Sequence, residues 1–236
     1  MTAPAKRPRK WKRWVVVGAV AVLVIVVGAP FVYFHFIEGP APPPPSLEAT
    51  PTSTLPAGAT SAPLAGTWRV TKKNSVVQYR VKETLFGQSG TAVGKTSSVT
   101  GSMTIAGVRV TAASFSVDMT SITSDQSLRD NQFQGRIMDT ADFPTATFAL
   151  TSPIDLGTPP KDGVQKSYSA VGKLTLHGTT KRITVALTAR RTANVIDVQG
   201  NVPITFADYG IDNPSGGPAS VGNVGQMAFV LEFKPS

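Results

Sequence analysis

The chain has no cysteine among its 236 residues and only two histidines, His35 and His177. Without cysteine there is no disulfide framework, no thiolate nucleophile, no iron–sulfur cluster and no thiolate zinc site. Two histidines separated by most of the sequence leave little raw material for a histidine metal centre or a histidine-paired acid–base site. We therefore expect no metal and no catalytic residue. Charge is also scarce: Asp, Glu, Lys and Arg make up 16% of the chain, with 14 acidic against 23 basic residues. Six of the positives, Lys6, Arg7, Arg9, Lys10, Lys12 and Arg13, fall within residues 1–13, where there is no negative. From Thr67 onward 17 basic residues face 12 acidic ones, so that portion is only +5. No basic stripe interleaved with aromatics accompanies this modest charge, and no nucleic-acid partner is expected.

What the chain does have is one long apolar run. Trp14 to Phe34 carries no charge or polar amide, and about 20 apolar residues make a helix long enough for a hydrocarbon layer. The reading is a transmembrane signal anchor over 14–37 preceded by a basic cytoplasmic arm over 1–13. The lipid bilayer is then a partner through residues 14–37, and the positive arm places the N-terminus in the cytoplasm and the C-terminal part outside the cytoplasmic membrane. A cleaved signal peptide is the rival, with a shorter apolar core and a small-residue cleavage site that is not evident here. Residues 38–66 hold eight prolines in 29 positions, the composition of an extended extracytoplasmic linker that cannot bury enough apolar surface to order itself.

Residues 67–236 alternate. Val77, Tyr79 and Val81 share one face against Gln78, Arg80 and Lys82, and Phe115, Val117 and Met119 oppose Ser114, Ser116 and Asp118. The same period runs through Tyr168 to Leu176, Ile183 to Leu187 and Met227 to Phe233. With segments 99–105, 145–151 and 194–206, at least eight short strands are expected in an antiparallel barrel or sandwich. One polar insertion between Ile122 and Phe143 reads as a short helix capped by Ser124 with Leu128 facing inward. A second irregular stretch spans Asp208 to Asn223 and is rich in Gly, Pro and Asn. These two connections are where the mouth of a site is expected.

Several strings then resemble the YceI-like family, extracytoplasmic polyisoprenoid-binding proteins with a lipocalin-like barrel. They are NSVVQYRVKE from Asn74; Ser121, Ile122 and Ser124 leading to Arg129 and Asp130; and Phe143, Pro144 and Phe148. They continue with Gly172, Leu174, Thr175, His177, Gly178 and Thr180, and end with Phe206, Tyr209, Gly210 and Ile211. Order and spacing over nearly all of 67–236 carry the likeness. The chain departs from the family pattern at Asn74 and Glu83, where histidines are common, and at Asn131, Gln132 and Phe133.

The resemblance implies an all-β, lipocalin-like, eight-stranded antiparallel barrel with a short helical insertion, preceded here by the transmembrane helix. It implies non-catalytic binding, sequestration or carriage of an isoprenoid lipid, a quinone or a polyprenyl phosphate, with no covalent cofactor. Phe115, Val117, Phe148, Leu174, Leu187, Phe206, Phe229 and Leu231 are the candidates for tail contact, with core packing as the competing role of each. Arg129 is the candidate for the head group, oriented by Asp130 or paired with it, and Tyr209 is a candidate donor. Two other functions stay open: a structural or protein-interaction module with a filled barrel, and a hydrolase built on Asp125, Asp130 and His177.

Overall fold

The computed structural model describes residues 15, 17–19, 22, 41–48, 62–216 and 219–236. The basic arm over 1–13 lies outside them. The expected transmembrane helix is corrected: among the described residues no helix is long and apolar enough to cross a membrane. Within 14–37 the described residues are Val15, Val17, Gly18, Ala19 and Val22, and these are helical. The signal anchor, the bilayer as partner through 14–37, and the single-pass location with a cytoplasmic N-terminus fall with it.

Ten strands form one antiparallel sheet. They are β1 (Gly66–Leu85), β2 (Gln88–Thr96), β3 (Val99–Ala106), β4 (Arg109–Asp118), β5 (Thr145–Leu150), β6 (Ile154–Asp155), β7 (Gln165–Leu176), β8 (Thr179–Thr192), β9 (Val195–Thr205) and β10 (Ala219–Pro235). Eight of them, in the order β10-β9-β8-β7-β5-β4-β3-β1, close into a ring because β10 also pairs with β1. Closure removes the exposed edges that a sandwich would keep.

The other two strands are appendages: β2 pairs along β1, and β6 pairs with β4. Residues 66–69 of β1 pair with β3 while residues 77–85 pair with β2, so β2 and β3 run as one strand bent at Ser97–Ser98. The bend matches a register shift in β1 between Thr71 and Val76, the kink that an unpaired bulge imposes on a strand.

Alternation sets the two faces of the wall. Met227, Phe229, Leu231 and Phe233 point inward, and Ala228, Val230 and Glu232 outward. The outer set is nevertheless buried. Residues 41–48, expected as free spacer, lie against this wall: Leu47 is 1% exposed, its N–H donates to Gln199 Oε1 at 3.0 Å, and Arg80 donates to the Pro42 carbonyl. Leu47→Ala should cost about 2 kcal/mol, the low end for a buried leucine, because the segment can peel away rather than leave a sealed cavity. Denaturant melts of the full chain would measure it.

The two ends of the barrel differ. One carries the β1–β2, β7–β8 and β9–β10 connections and the insertion between β4 and β5. Its helix, Ser127–Gln132, runs into a π-type turn over Phe133–Ile137. Met119, Ile122, Phe133, Met138, Leu176, Phe206, Tyr209 and Ile211 are all buried in one apolar cluster here, and they close this end. Ser124 does not cap the helix: Gln126 holds that position without a side-chain capping bond, and Leu128 is exposed rather than inward. The opposite end carries the β3–β4 and β8–β9 turns and the connection over 151–164.

Candidate functional site: an apolar cavity open at one end

Inside the barrel lies a cavity of about 230 Å³. Its wall is almost wholly apolar, running from Val77, Val117, Leu174 and Val202 at mid-barrel to Ile154, Leu156, Pro159 and Pro160 at the far end. Pro159 and Asp162 line it and are themselves exposed, so the cavity reaches solvent at the 151–164 end. None of the buried cluster under the insertion, Phe133, Phe206 or Ile211 for example, lines it. The mouth therefore lies opposite the two elaborate loops that were expected to frame it.

Seven of the eight tail candidates line the cavity: Phe115, Val117, Phe148, Leu174, Leu187, Phe229 and Leu231. Phe206 does not; it is buried in the plug. Glycines seat the aromatic rings. Gly200 is the cross-strand partner of Phe229, and Gly101 of Phe115. A Cβ at Gly172 would press on the Phe148 ring and lie 2.6 Å from the Ala149 carbonyl oxygen. We expect Gly172→Val to push Phe148 into the cavity and to destabilise the barrel by about 1–3 kcal/mol, the usual cost of overpacking. A thermal melt alongside a tail-binding assay would check both effects.

Arg129, Asp130 and Tyr209 stand at the plugged end and line no part of the cavity. Arg129 pairs with Glu83 at 3.2 Å and with Asp125, while Asp130 Oδ1 accepts the Ser124 N–H at 2.7 Å. Arg129 thus ties the insertion to the β1–β2 hairpin, and its carboxylate partners are not the adjacent Asp130. The two loops do meet here, since Arg136 Nη2 donates to the Pro214 carbonyl at 3.0 Å. Tyr209 is buried, and burial first, then Asp208, raises its hydroxyl above the ordinary tyrosine range.

His177 and Gly178 form the two-residue β7–β8 turn, with φ of 49° and 71°, the left-handed pair such a hairpin needs. The His177 ring packs edge-on against Phe143, with centroids 4.7 Å apart, and Nδ1 lies 3.2 Å from the Tyr209 carbonyl oxygen. His177, Asp125 and Asp130 each bond elsewhere and not to one another, so the hydrolase constellation is not assembled. Among the described residues no group of three His, Asp or Glu side chains is placed to hold a metal ion.

The polar residues of the open end escaped the sequence reading. Ile183, Val185, Leu187, Ala189 and Arg191 all line the cavity, so Arg191 ends an inward apolar row, and that break in alternation was the available signal. Its guanidinium lies 5.6 Å over the Trp68 ring. Tyr168 lines the same end, its hydroxyl raised by burial, with Lys166 Nζ 5.5 Å above the ring.

This geometry defines a class: a closed antiparallel β-barrel with one enclosed apolar cavity and one open end. A family model described as the YceI-like domain matches residues 68–233, and the chain belongs to the YceI-like family. Its barrel is similar to a polyisoprenoid binding domain from Saccharophagus degradans implicated in plant cell wall breakdown, at 17% identity and a TM-score of 0.58, covering 72% of this chain and 98% of that one. It is also similar to BcnA of Burkholderia cenocepacia, at 20% identity and a TM-score of 0.55, covering 69% and 98%. No curated protein matches the chain.

Proposed function

We propose that the barrel binds the hydrocarbon tail of an isoprenoid lipid without covalent chemistry and so sequesters or carries it. The observation that carries this reading is the one-ended apolar cavity, in a chain of the YceI-like family whose barrel resembles a domain described as polyisoprenoid binding. Each CH₂ moved from water into such a wall gains about 0.8 kcal/mol, so a few isoprene units supply useful affinity with no reacting group. The ligand class covers isoprenoid quinones and polyprenyl phosphates.

Size limits what is enclosed. The 230 Å³ cavity lies under the roughly 300–1,000 Å³ of ordinary small-molecule pockets. A short tail fits inside. Ala170, 3% exposed and on the cavity wall, offers the test. In Ala170→Phe a ring occupies the space for the tail, and binding of geranylgeraniol to the full chain should weaken at least about tenfold, the loss of roughly two buried methylenes. A folded variant, judged by circular dichroism, that binds as tightly as wild type would sink the proposal.

A further inference from the structure

Arg191 is a cation at the neck of a cavity that is otherwise nearly all apolar. It is half-buried, and among the described residues it makes no ion pair. Two of its nitrogens are held by backbone oxygens: Nε donates to the Ala193 carbonyl at 3.1 Å and Nη2 to the Ala62 carbonyl. With the Trp68 ring under it, the guanidinium is fixed in place while Nη1 keeps no protein acceptor among the described residues.

The neighbouring charges do not neutralise it. Arg190 is paired with Asp197 at 3.0 Å. Among the described residues Asp162 is the sole carboxylate on the cavity wall, and its Oδ2 accepts the Ala193 N–H at 2.8 Å. Lys166 also stands at this end, its Nζ on the carbonyls of Leu156 and Thr158 at 2.7 and 3.2 Å rather than on an acid. A half-buried, oriented and uncompensated guanidinium is costly unless a counter-charge arrives, and its fork suits phosphate oxygens.

We infer that the ligand is an amphiphile with an anionic head, a prenyl phosphate by chemical class, whose tail enters the cavity and whose phosphate is received by Arg191 at the mouth. This inference rests on the tail-binding reading and narrows it: a neutral quinone or alcohol would leave the guanidinium without its counter-charge. Tyr168 stands at the same opening as a hydroxyl donor, whereas Arg129 lies at the closed end and has no part in it.

The test compares two ligands with one tail, geranylgeranyl phosphate and geranylgeraniol, binding to the purified full chain. Wild type should prefer the phosphate by about tenfold or more, the scale of a charge-assisted hydrogen bond. Arg191→Gln should abolish that preference while retaining the alcohol, Arg191→Lys should keep part of it, and Arg129→Ala should keep all of it. Because both ligands share the tail, their ratio is insensitive to partial loss of folded protein. Equal affinities in wild type, or a preference that survives Arg191→Gln or disappears in Arg129→Ala, would overturn the assignment and leave tail binding standing. Failure of both ligands to bind wild type would overturn the tail-binding reading and this inference with it.

Discussion

Replacing Arg190 with methionine is expected to destabilise the barrel by about 3–5 kcal/mol at pH 7, the cost of stripping one partner from a buried ion pair. Arg190 and Asp197 are 8% and 1% exposed and lie directly across β8 and β9. Glu232, 1% exposed, is the cross-strand neighbour of Asp197 in β10, so the loss would leave two buried carboxylates side by side. Burial already holds Asp197 above the ordinary carboxylate range against the pull of Arg190, and Glu232 adds to the rise. Burial pushes Glu232 up as well, but donors from Thr71 and Asn74 and the charge of Lys234 outweigh it and leave Glu232 lowered.

The pH dependence follows from these directions. A carboxyl raised in the folded state favours folding only while protonated, so its contribution declines as pH rises from the unfolded value of about 3.9 through the folded one. In Arg190→Met the Asp197 value rises further. The deficit against wild type should therefore be largest near pH 7 and shrink toward pH 4. Glu232 works the other way, contributing at neutral pH and losing that contribution as pH falls through its lowered value. Paired melts at pH 4 and pH 7 would measure the difference, which corresponds to roughly 10 °C at neutral pH for a domain of this size. A deficit independent of pH would mean that the packing of the arginine stem, not its charge, is what counts.

Trp68→Ala should cost a similar 3–5 kcal/mol, the usual range for a buried aromatic cut to alanine. The ring is 1% exposed, its indole N–H donates to the Leu64 carbonyl at 2.9 Å, and Arg191 lies over its face. The variant should also lose preference for a phosphate head group, because the guanidinium loses its platform. A guanidinium chloride melt reports the first effect and the phosphate-to-alcohol affinity ratio the second. Loss of stability with an unchanged ratio would show that the backbone carbonyls of Ala62 and Ala193 suffice to aim Arg191.

The wall of the barrel was readable because its physics is local. A period of two forces Phe115 and Val117, Phe229 and Leu231 onto the buried face whatever else the chain does, and the His177–Gly178 turn declares its hairpin through backbone preference alone. Phe206 was misplaced because the end of β9 turns there, and alternation no longer tells wall from plug. The mouth was misread for a related reason. The insertion looks polar, yet Phe133 and Met138 within it and Met119 and Ile122 leading into it are spaced so that folding drives them together as a stopper. The plain Pro-Pro connection near 159 and 160, with no motif of its own, borders the opening instead. Arg191 was hidden because its role depends on Ala62, Trp68 and Ala193, which only tertiary structure gathers. Leu47 shows the same limit, a single leucine in a proline-rich stretch finding a socket on the outer wall.

Extraction of lipid from the purified full chain, followed by mass spectrometry, tests the central claim most directly. A prenyl-chain amphiphile with an anionic head is expected near one equivalent per barrel, and it should be lost when Ala170→Phe fills the cavity. Recovery of no lipid, together with no binding of added geranylgeranyl phosphate or geranylgeraniol, would contradict it.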